Sequence, residues 1–357
     1  GVSGTLNMAD LAARIPNIDA ADRGLLEAGA GILGVAFLLK AGMWPLCFWL
    51  PTTYAAATPP VASIFAIMTK VGAYIVLRLW LLLFGEGSGA SAGFGGTWLL
   101  VGGMATIAFG AVGTLAGRSI AGLAAFSVLV STGTVLAATG MGQVGVTGGA
   151  LFYLVSSTLG LSALFLLAEL VERGRQPGTG ILTVTAEPSE DADQDDAIDE
   201  EDEVGFAIPA PMSVLGLAFI GCGLVIAGLP PLSGFIAKFA LLTAALNPSG
   251  MGQGGAIPAG SWALLVALIV SGLVALIAMT RAGIRAFWAA SEQAAPRVRM
   301  IEMVPVVALL LLCAAQTVQA GPVMRFMEAA AQALHTPDDY IRDVLAPRRH
   351  AREAGGK

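Results

Sequence analysis

Lysines are few in this chain, and their surroundings are unusual for a charged side chain. Lys40, Lys70 and Lys238 lie inside apolar segments, and the fourth lysine, Lys357, is the last residue. A charge near the middle of a membrane-spanning helix costs about 2.5–3.5 kcal/mol on insertion scales, so residues of this kind usually have a function. A buried lysine can release its proton, whereas arginine keeps its charge. The three lysines are therefore candidate members of a proton relay. For any one of them, the alternative is a side chain that reaches along its helix to the membrane surface.

The composition is typical of a polytopic helical membrane protein. Hydrophobic residues make up 56% and charged residues 12% of the 357 residues, and the mean hydropathy is +0.77. A soluble domain carries about 25% charged residues, so the composition excludes a soluble domain. Cys47, Cys222 and Cys313 lie in apolar segments without paired spacing and are expected to be buried fillers rather than metal ligands or disulfide partners. Phosphate-binding, metal-binding and nucleic-acid-binding motifs are absent from the sequence, which predicts neither a cofactor nor a nucleic-acid partner.

The positions of apolar residues predict an all-α protein with about eight transmembrane helices, each of about 20 residues or more. The predicted segments are 28–50, 61–84, 97–116, 120–140, 147–170, 211–247, 262–284 and 304–320. They imply an extramembrane loop or surface helix over residues 1–27, transmembrane helices one to five over 28–170, a loop over 171–210, helices six to eight over 211–320, and a C-terminal tail over 321–357.

Two of these segments are interrupted by proline. Pro45 interrupts the first segment just after Lys40, and Pro230 and Pro231 interrupt the sixth segment ahead of Lys238. Proline removes a hydrogen-bond donor and clashes with the preceding turn, so both helices should be broken there. Broken membrane helices often mark an ion path, because freed backbone groups must be satisfied by polar partners or water. A simple kink is the alternative at each site.

The fifth segment carries a cluster of hydroxyl groups. Tyr153, Ser156, Ser157 and Thr158 follow one another within six residues of an otherwise apolar run. Hydroxyl groups both donate and accept hydrogen bonds, so they can relay a proton between titratable groups. These four residues are a possible polar relay.

Charge is distributed very unevenly along the chain. The run 187–203 holds 11 of the 25 acidic residues, which leaves 19 basic against 14 acidic residues elsewhere, a balance of +5. Such a run is expected to be a solvated insert, and a cation-attracting antenna is the alternative.

Arginines are concentrated on one side of the membrane in the predicted topology. The internal loops and helix ends on that side contain Arg118, Arg173, Arg175, Arg281, Arg285, Arg297 and Arg299. Those on the opposite side contain one arginine, Arg78. The positive-inside rule therefore places the acidic loop in the cytoplasm.

Several segments carry a family resemblance. They are KAGMWPLCFWLPTTYAAATPPVASIFAIMTKVGAYIVLR and LPPLSGFIAKF, together with SGTLNMADLAARI, VGFAIPAPMSVLGLAF and QAGPVMRFM. The chain resembles the antiporter-like subunits shared by NADH–quinone oxidoreductases and multisubunit Mrp/Pha-type cation/proton antiporters. Within that group it is similar to the D subunit of the Pha type, over nearly its whole length.

The resemblance implies that these helices correspond to the seventh to fourteenth of a fourteen-helix subunit. Lys40 matches the lysine of the broken seventh helix, Lys70 that of the eighth, and Lys238 that of the broken twelfth. Where many relatives have a histidine and a lysine on the eleventh helix, this chain has Ser156 and Leu161. A proton path there must depend on hydroxyls and water. Cys47 stands where respiratory-complex relatives often have histidine, which favours the Pha-like assignment.

The function that the resemblance implies is proton translocation within a multisubunit K⁺ or Na⁺/proton antiporter. The expected setting is a bacterial inner membrane, the expected partners are the other subunits of the complex, and this subunit is expected to be a transporter component rather than an enzyme. Two alternatives stay open. One is a proton-pumping subunit of an NADH–quinone oxidoreductase, and the other is a structural subunit whose lysines no longer carry protons.

Overall fold

The computed structural model describes residues 2–173, 210–248, 255–288 and 300–346, and their regular structure is helical. The α-helices in these ranges are α1 (Met8–Arg14), α2 (Ala20–Ala41), α3 (Trp49–Ala56), α4 (Pro59–Phe84), α5 (Gly96–Ala116), α6 (Ile120–Met141), α7 (Val144–Arg173), α8 (Ala210–Ala227), α9 (Ser233–Leu246), α10 (Ala259–Gly283), α11 (Met300–Val318), α12 (Ala320–His335) and α13 (Asp338–Leu345). The acidic run 187–203 lies outside the described residues.

The membrane-spanning architecture matches the prediction. Within the described ranges, seven helices are long and apolar enough to cross a membrane, namely α2, α4, α5, α6, α7, α10 and α11. Two shorter apolar helices, α8 and α9, together form the predicted sixth segment. The predicted all-α polytopic fold is therefore confirmed. Helix α2 begins at Ala20 rather than near residue 28, because no proline between Pro16 and Pro45 stops the helix from extending towards the N-terminus.

Both predicted helix breaks are present. Helix α2 ends at Ala41, where Gly42 adopts the left-handed conformation (φ 71°), and α3 does not begin until Trp49, beyond Pro45. Helix α8 ends at Ala227, Gly228 is again left-handed (φ 77°), and α9 begins at Ser233. A left-handed residue after the last helical turn is a common helix stop, and the prolines that follow cannot restart the ladder of hydrogen bonds.

Helix α7 is the central element of the bundle. It packs against α4, α6, α8, α9, α11 and α12. Beside it, α5 and α6 form a close antiparallel pair, and a Cβ atom added to Gly103 of α5 would lie 2.4 Å from the backbone nitrogen of Ala137 of α6. Small residues allow this close backbone approach, as in other membrane helix pairs. Because α4, α6 and α9 all contact α7, their side chains that face α7 lie near one another.

The segment that the sequence predicted as a tail contains a packed amphipathic helix. In α12, Val323, Met327 and Ala331 recur every four residues, and this apolar stripe packs with a core cluster built from α4, α6 and α7. Helix α13 contacts α1, and the guanidinium carbon of Arg78 lies 5.5 Å from the centre of the Tyr340 ring. After α11, its last apolar helix, the chain therefore continues as α12 and α13, which pack on α7 and α1.

Candidate functional site

Lys70 is buried between α4 and α6. Its side chain is 2% exposed, and its ammonium group donates a hydrogen bond to the hydroxyl of Ser131 on α6. The Ser131 hydroxyl donates in turn to the carbonyl oxygen of Val128, at 2.9 Å. A cation held by a hydroxyl that can both accept and donate has a route by which a proton can leave.

The break after α2 places a tyrosine beside Lys70. The hydroxyl of Tyr54 on α3 donates to the carbonyl oxygen of Phe65 at 2.6 Å and also hydrogen-bonds Thr69, the residue that precedes Lys70. The ring of Tyr54 is buried against Phe65 and Phe165. These contacts hold the short helix α3 on α4, so the broken helix supports the turn that carries Lys70.

Lys238 is held by the other helix break. Its side chain is 8% exposed, and its ammonium group donates to the carbonyl oxygens of Ala227, at 2.8 Å, and Ile226, at 3.3 Å. These carbonyls belong to the last turn of α8, where no further helical turn supplies donors. A Cβ atom on Gly228 would lie 2.6 Å from Cδ of Lys238, so glycine is needed there for the lysine to reach the carbonyls.

A cavity lies beside Lys238 and beside Ser131, the hydroxyl partner of Lys70. It has a volume of about 20 Å³, which is enough for a water molecule. Its polar lining comes from α5, α6, α7, α9 and α10. These polar residues are Thr114, Ser127, Ser131, Tyr153, Ser156, Ser157, Lys238 and Ser271. Lys238 lines the cavity itself, and Lys70 meets it through the hydroxyl of Ser131.

The predicted hydroxyl cluster is only partly at this cavity. Tyr153, Ser156 and Ser157 line it, whereas Thr158 donates to the carbonyl oxygen of Leu154 at 2.6 Å and is not among the lining residues. The hydroxyl of Ser156 lies 2.8 Å from that of Ser233, the first residue of α9.

Lys40 lies apart from the other two lysines. It occupies the last turn of α2, and its side chain is exposed on the surface of the described chain. Its backbone packs closely on α4, since a Cβ atom on Gly72 would lie 3.3 Å from the carbonyl carbon of Lys40. The structure thus brings Lys70 and Lys238 to one cavity and leaves Lys40 on the face of α2 that the described part of this chain does not cover.

Sequence reasoning missed several polar residues of the site. Ser131 and Ser127 are on α6, and Thr114 and Ser271 are on α5 and α10. Ser127, Ser131 and Thr134 recur at helical spacing within the apolar segment 120–140, which is a signal that could have identified a polar face.

Buried ammonium groups and hydroxyls inside an apolar helical bundle define a polytopic membrane protein with a polar interior. The chain belongs to the family described as NADH:quinone oxidoreductase/Mrp antiporter, transmembrane, whose model matches residues 1–252. The family resemblance drawn from the sequence is therefore confirmed.

Relatives and solved structures agree with this family. The chain is 56% identical over 349 residues to the D subunit of a probable K(+)/H(+) antiporter of Rhizobium meliloti, covering 98% of this chain and 64% of that protein. It is 29% identical over 349 residues to the D subunit of the Na(+)/H(+) antiporter of Bacillus subtilis, covering 96% and 63%. Its fold matches a chain of the Mrp complex from a Dietzia species with a TM-score of 0.73 at 21% identity, covering 97% and 65%. The chain thus spans a little under two thirds of the length of these proteins.

Proposed function

We propose that this chain carries protons through a membrane as part of the D subunit of a multisubunit monovalent cation/proton antiporter. The observation that carries this proposal is the polar cavity between Lys70 and Lys238. Both lysines are buried, and Ser131, the hydroxyl partner of Lys70, lines the same cavity as Lys238. Lysine is suited to a relay because it can exist with or without its proton.

The proton steps follow from the hydrogen bonds. Lys70 gives a proton to the Ser131 hydroxyl, whose own proton passes into the cavity towards Tyr153, Ser156 or a bridging water, and a neutral Lys238 accepts a proton at the far side. Each hydroxyl or water gains one proton and releases one, while Lys70 becomes neutral and Lys238 becomes an ammonium group. The carbonyl oxygens of Ala227 and Ile226 stabilise the resulting ammonium group of Lys238.

Lys40 is proposed as a further member of the relay on the basis of the family resemblance. Its exposed ammonium group needs a polar partner to be kept in a membrane. Since the relatives are longer than this chain, we propose that a neighbouring part of the full subunit, or another subunit, covers this face of α2. The complete complex, rather than this chain alone, then forms the continuous path.

The transported cation is proposed to be K⁺ rather than Na⁺. The support is the degree of similarity, which is 56% to a relative named for K⁺ and 29% to one named for Na⁺. We place the complex in a bacterial inner membrane, with the other antiporter subunits as partners and with the arginine-rich side and the acidic run 187–203 in the cytoplasm. Proton entry would be coupled to cation efflux.

A second candidate is a proton-pumping subunit of an NADH–quinone oxidoreductase, because the family includes both kinds of complex. Purification separates the two: an antiporter complex contains no flavin or iron–sulfur subunits and moves protons in response to added K⁺. Redox-driven proton flux by the purified complex would favour the second candidate.

The test of the relay is substitution of each lysine by arginine in the complete complex. Arginine keeps the charge but does not release the proton, so Lys40→Arg, Lys70→Arg and Lys238→Arg should each abolish cation-dependent proton flux in vesicles. Lys357→Arg is the matched control and should transport normally. Assembly is checked by the amount of intact complex recovered. Normal flux in all three assembled variants would contradict the relay.

A further inference from the structure

A second row of polar side chains leaves the cavity at Ser156, on the side of α7 that faces α9 and α11. The Ser156 hydroxyl lies 2.8 Å from the Ser233 hydroxyl, and Cys313 lies on α11, which contacts α9. All three residues are fully buried. The function proposed above uses Ser156 alone among them.

Gln316 continues this row in the last turn of α11. It follows Cys313 by three residues, so the two side chains share one face of the helix. Its amide nitrogen lies 3.5 Å from the carbonyl oxygen of Phe152 on α7, the carbonyl that accepts the helical hydrogen bond of Ser156. Gln316 thus sits one turn of α7 beyond Ser156.

The amide oxygen of Gln316 is the feature that points to a bound molecule. The side chain is 7% exposed, and its oxygen accepts no hydrogen bond from any residue that the structure describes. A buried acceptor without a donor is unfavourable, so a site of this kind favours a small donor such as water. The amide can donate through its nitrogen and accept through its oxygen, and it can therefore orient a water molecule without being protonated itself.

The row ends close to the surface of the bundle. Gln316 lies two residues before the end of α11, and Gln319, between α11 and α12, is exposed. Near the start of α7, both α9 and α12 pack closely on it. A Cβ atom on Gly149 would lie 2.7 Å from the backbone of Leu241 in α9, and one on Gly148 would lie 3.3 Å from Cγ of Glu328 in α12. Glycine therefore lets α9 and α12 pack closely on α7 beside the row.

We propose that Ser156, Ser233, Cys313 and Gln316 line an outlet that connects the Lys238 cavity to the end of the bundle beneath α12. Gln316 is a positioning residue, and its amide oxygen holds a water molecule at the mouth of the outlet. Protons pass in either direction between this end of the bundle and Lys238 along the hydroxyls and this water, each of which accepts one proton and releases another, so protons can enter here when cations leave. This outlet rests on the proposed function for its role in transport, although its access to water does not depend on that function.

Access to water is tested by cysteine labelling in the full complex. Gln316→Cys is placed in a background with Cys47 and Cys222 replaced by alanine and Cys313 by serine. Vesicles of both orientations are treated with a small, membrane-impermeant methanethiosulfonate, which reacts with thiolates that water reaches. The control is Val306→Cys, also on α11 and 0% exposed. We expect Gln316→Cys to react at least about tenfold faster than the control, from the side at the N-terminus of α7. Equal rates, or reaction from the opposite side alone, would overturn the outlet.

The role of Gln316 in transport is tested by Gln316→Leu. This variant keeps the bulk of the side chain and removes both polar atoms, and we expect proton flux to fall about tenfold, as when one positioned hydrogen-bonding group is lost. Thr317→Val is the matched control, because the Thr317 hydroxyl bonds its own helix at the Cys313 carbonyl oxygen. Flux through an assembled Gln316→Leu complex equal to that of the control would remove Gln316 from the path. Rapid labelling of Gln316→Cys together with normal flux in the lysine-to-arginine variants would instead sink the proposed function and leave the outlet in place.

Discussion

Lys70 and Lys238 satisfy their ammonium groups in two different ways. Lys70 donates to one hydroxyl, which can rotate and pass a proton on. Lys238 donates to two carbonyl oxygens of a helix end, which are fixed in place and cannot carry a proton. The proposed transfer from Lys70 therefore depends on a single side chain, Ser131, whereas the binding of the Lys238 ammonium depends on the shape of the helix break.

Substitution of Ser131 tests this dependence. Ser131→Ala removes the hydroxyl and leaves the methylene group, so we expect proton flux to fall by about tenfold to a hundredfold while the complex still assembles, the size of effect seen when a group in a proton-transfer chain is removed. The measurement is cation-driven proton flux in vesicles.

The matched control for Ser131 is on the same helix. Thr139 is buried, and its hydroxyl bonds its own helix at the carbonyl oxygen of Val135, 2.8 Å away. Thr139→Val should therefore transport normally. Equal flux in Ser131→Ala and Thr139→Val would show that the proton from Lys70 takes another route.

Among the helices, the break between α8 and α9 depends on close packing. Gly234, in the first turn of α9, faces the last turns of α8, and a Cβ atom there would lie 1.9 Å from the carbonyl oxygen of Val225. No side-chain rotation can relieve a clash with backbone, so α9 would have to move. Since Lys238 is one turn further along α9, such a movement would draw its ammonium group away from Ala227.

Gly234→Ala should therefore destabilise the protein by about 1–3 kcal/mol and reduce transport as well. Gly216→Ala is the control, because Gly216 lies in α8 with no atom within 4 Å of an added Cβ. In a helix interior that change should be neutral or stabilising by about 0.5–1 kcal/mol. The measurement is the thermal unfolding midpoint of the detergent-purified complex. A midpoint for Gly234→Ala that matches that of Gly216→Ala would contradict the close approach.

The docking of α12 should depend on pH through His335. A ring nitrogen of His335 lies 2.9 Å from the hydroxyl of Thr147 at the start of α7. Burial lowers the pKa of His335, and Glu86, in the loop after α4, opposes this shift. Because the folded pKa is lowered, the contribution of His335 to stability is present at high pH and is lost as the pH falls below the ordinary value of 6.5.

Hydrogen–deuterium exchange measures this docking directly. Exchange of the amides in α12 should rise as the pH is lowered from about 8 to 5, after correction for the intrinsic rate. His335→Gln keeps a hydrogen-bonding group that does not titrate, and it should remove most of the pH dependence. An unchanged pH dependence in His335→Gln would contradict the assignment to His335.

At the scale of the whole molecule, polarity is arranged for a membrane. Many serine and threonine hydroxyls are buried between helices, whereas large apolar side chains such as Val266, Ile269 and Leu273 of α10 are exposed. An exposed apolar face of this kind suits contact with lipid, and many of the buried hydroxyls bond the backbone of their own helices, as those of Ser127 and Thr139 do. A polar interior inside an apolar exterior is the arrangement that the proposed relay needs.

The acidic run 187–203 holds 11 acidic residues, more than the net charge of −6, and the rest of the chain has a balance of +5. If the run serves as a solvated insert, deletion of residues 188–203 should leave cation-driven proton flux unchanged at all salt concentrations. A fall in flux that is largest at low ionic strength would instead identify the run as an antenna for cations, since screening weakens such attraction. The measurement is flux in vesicles at low and high ionic strength.

The helices, their breaks and the candidate lysines could all be predicted from the sequence. Apolar runs, prolines and the rarity of lysine are local features, and each acts on the chain within a few residues of its own position. For this reason both helix breaks and the burial of Lys70 and Lys238 could be predicted, as could the polar character of α7 at Tyr153, Ser156 and Ser157.

Only the tertiary structure decided which groups meet. Lys70 and Ser131 are 61 residues apart, Ser156 and Ser233 are 77 apart, and Gln316 and Phe152 are 164 apart. A helix turns by about 100° per residue, so a rotation of one position would aim each of these side chains at a different neighbour. The same reason explains why Thr158 bonds its own helix, why Lys40 is exposed, and why α12 covers the end of α7. These outcomes depend on how whole helices pack, which the local pattern of the sequence does not specify.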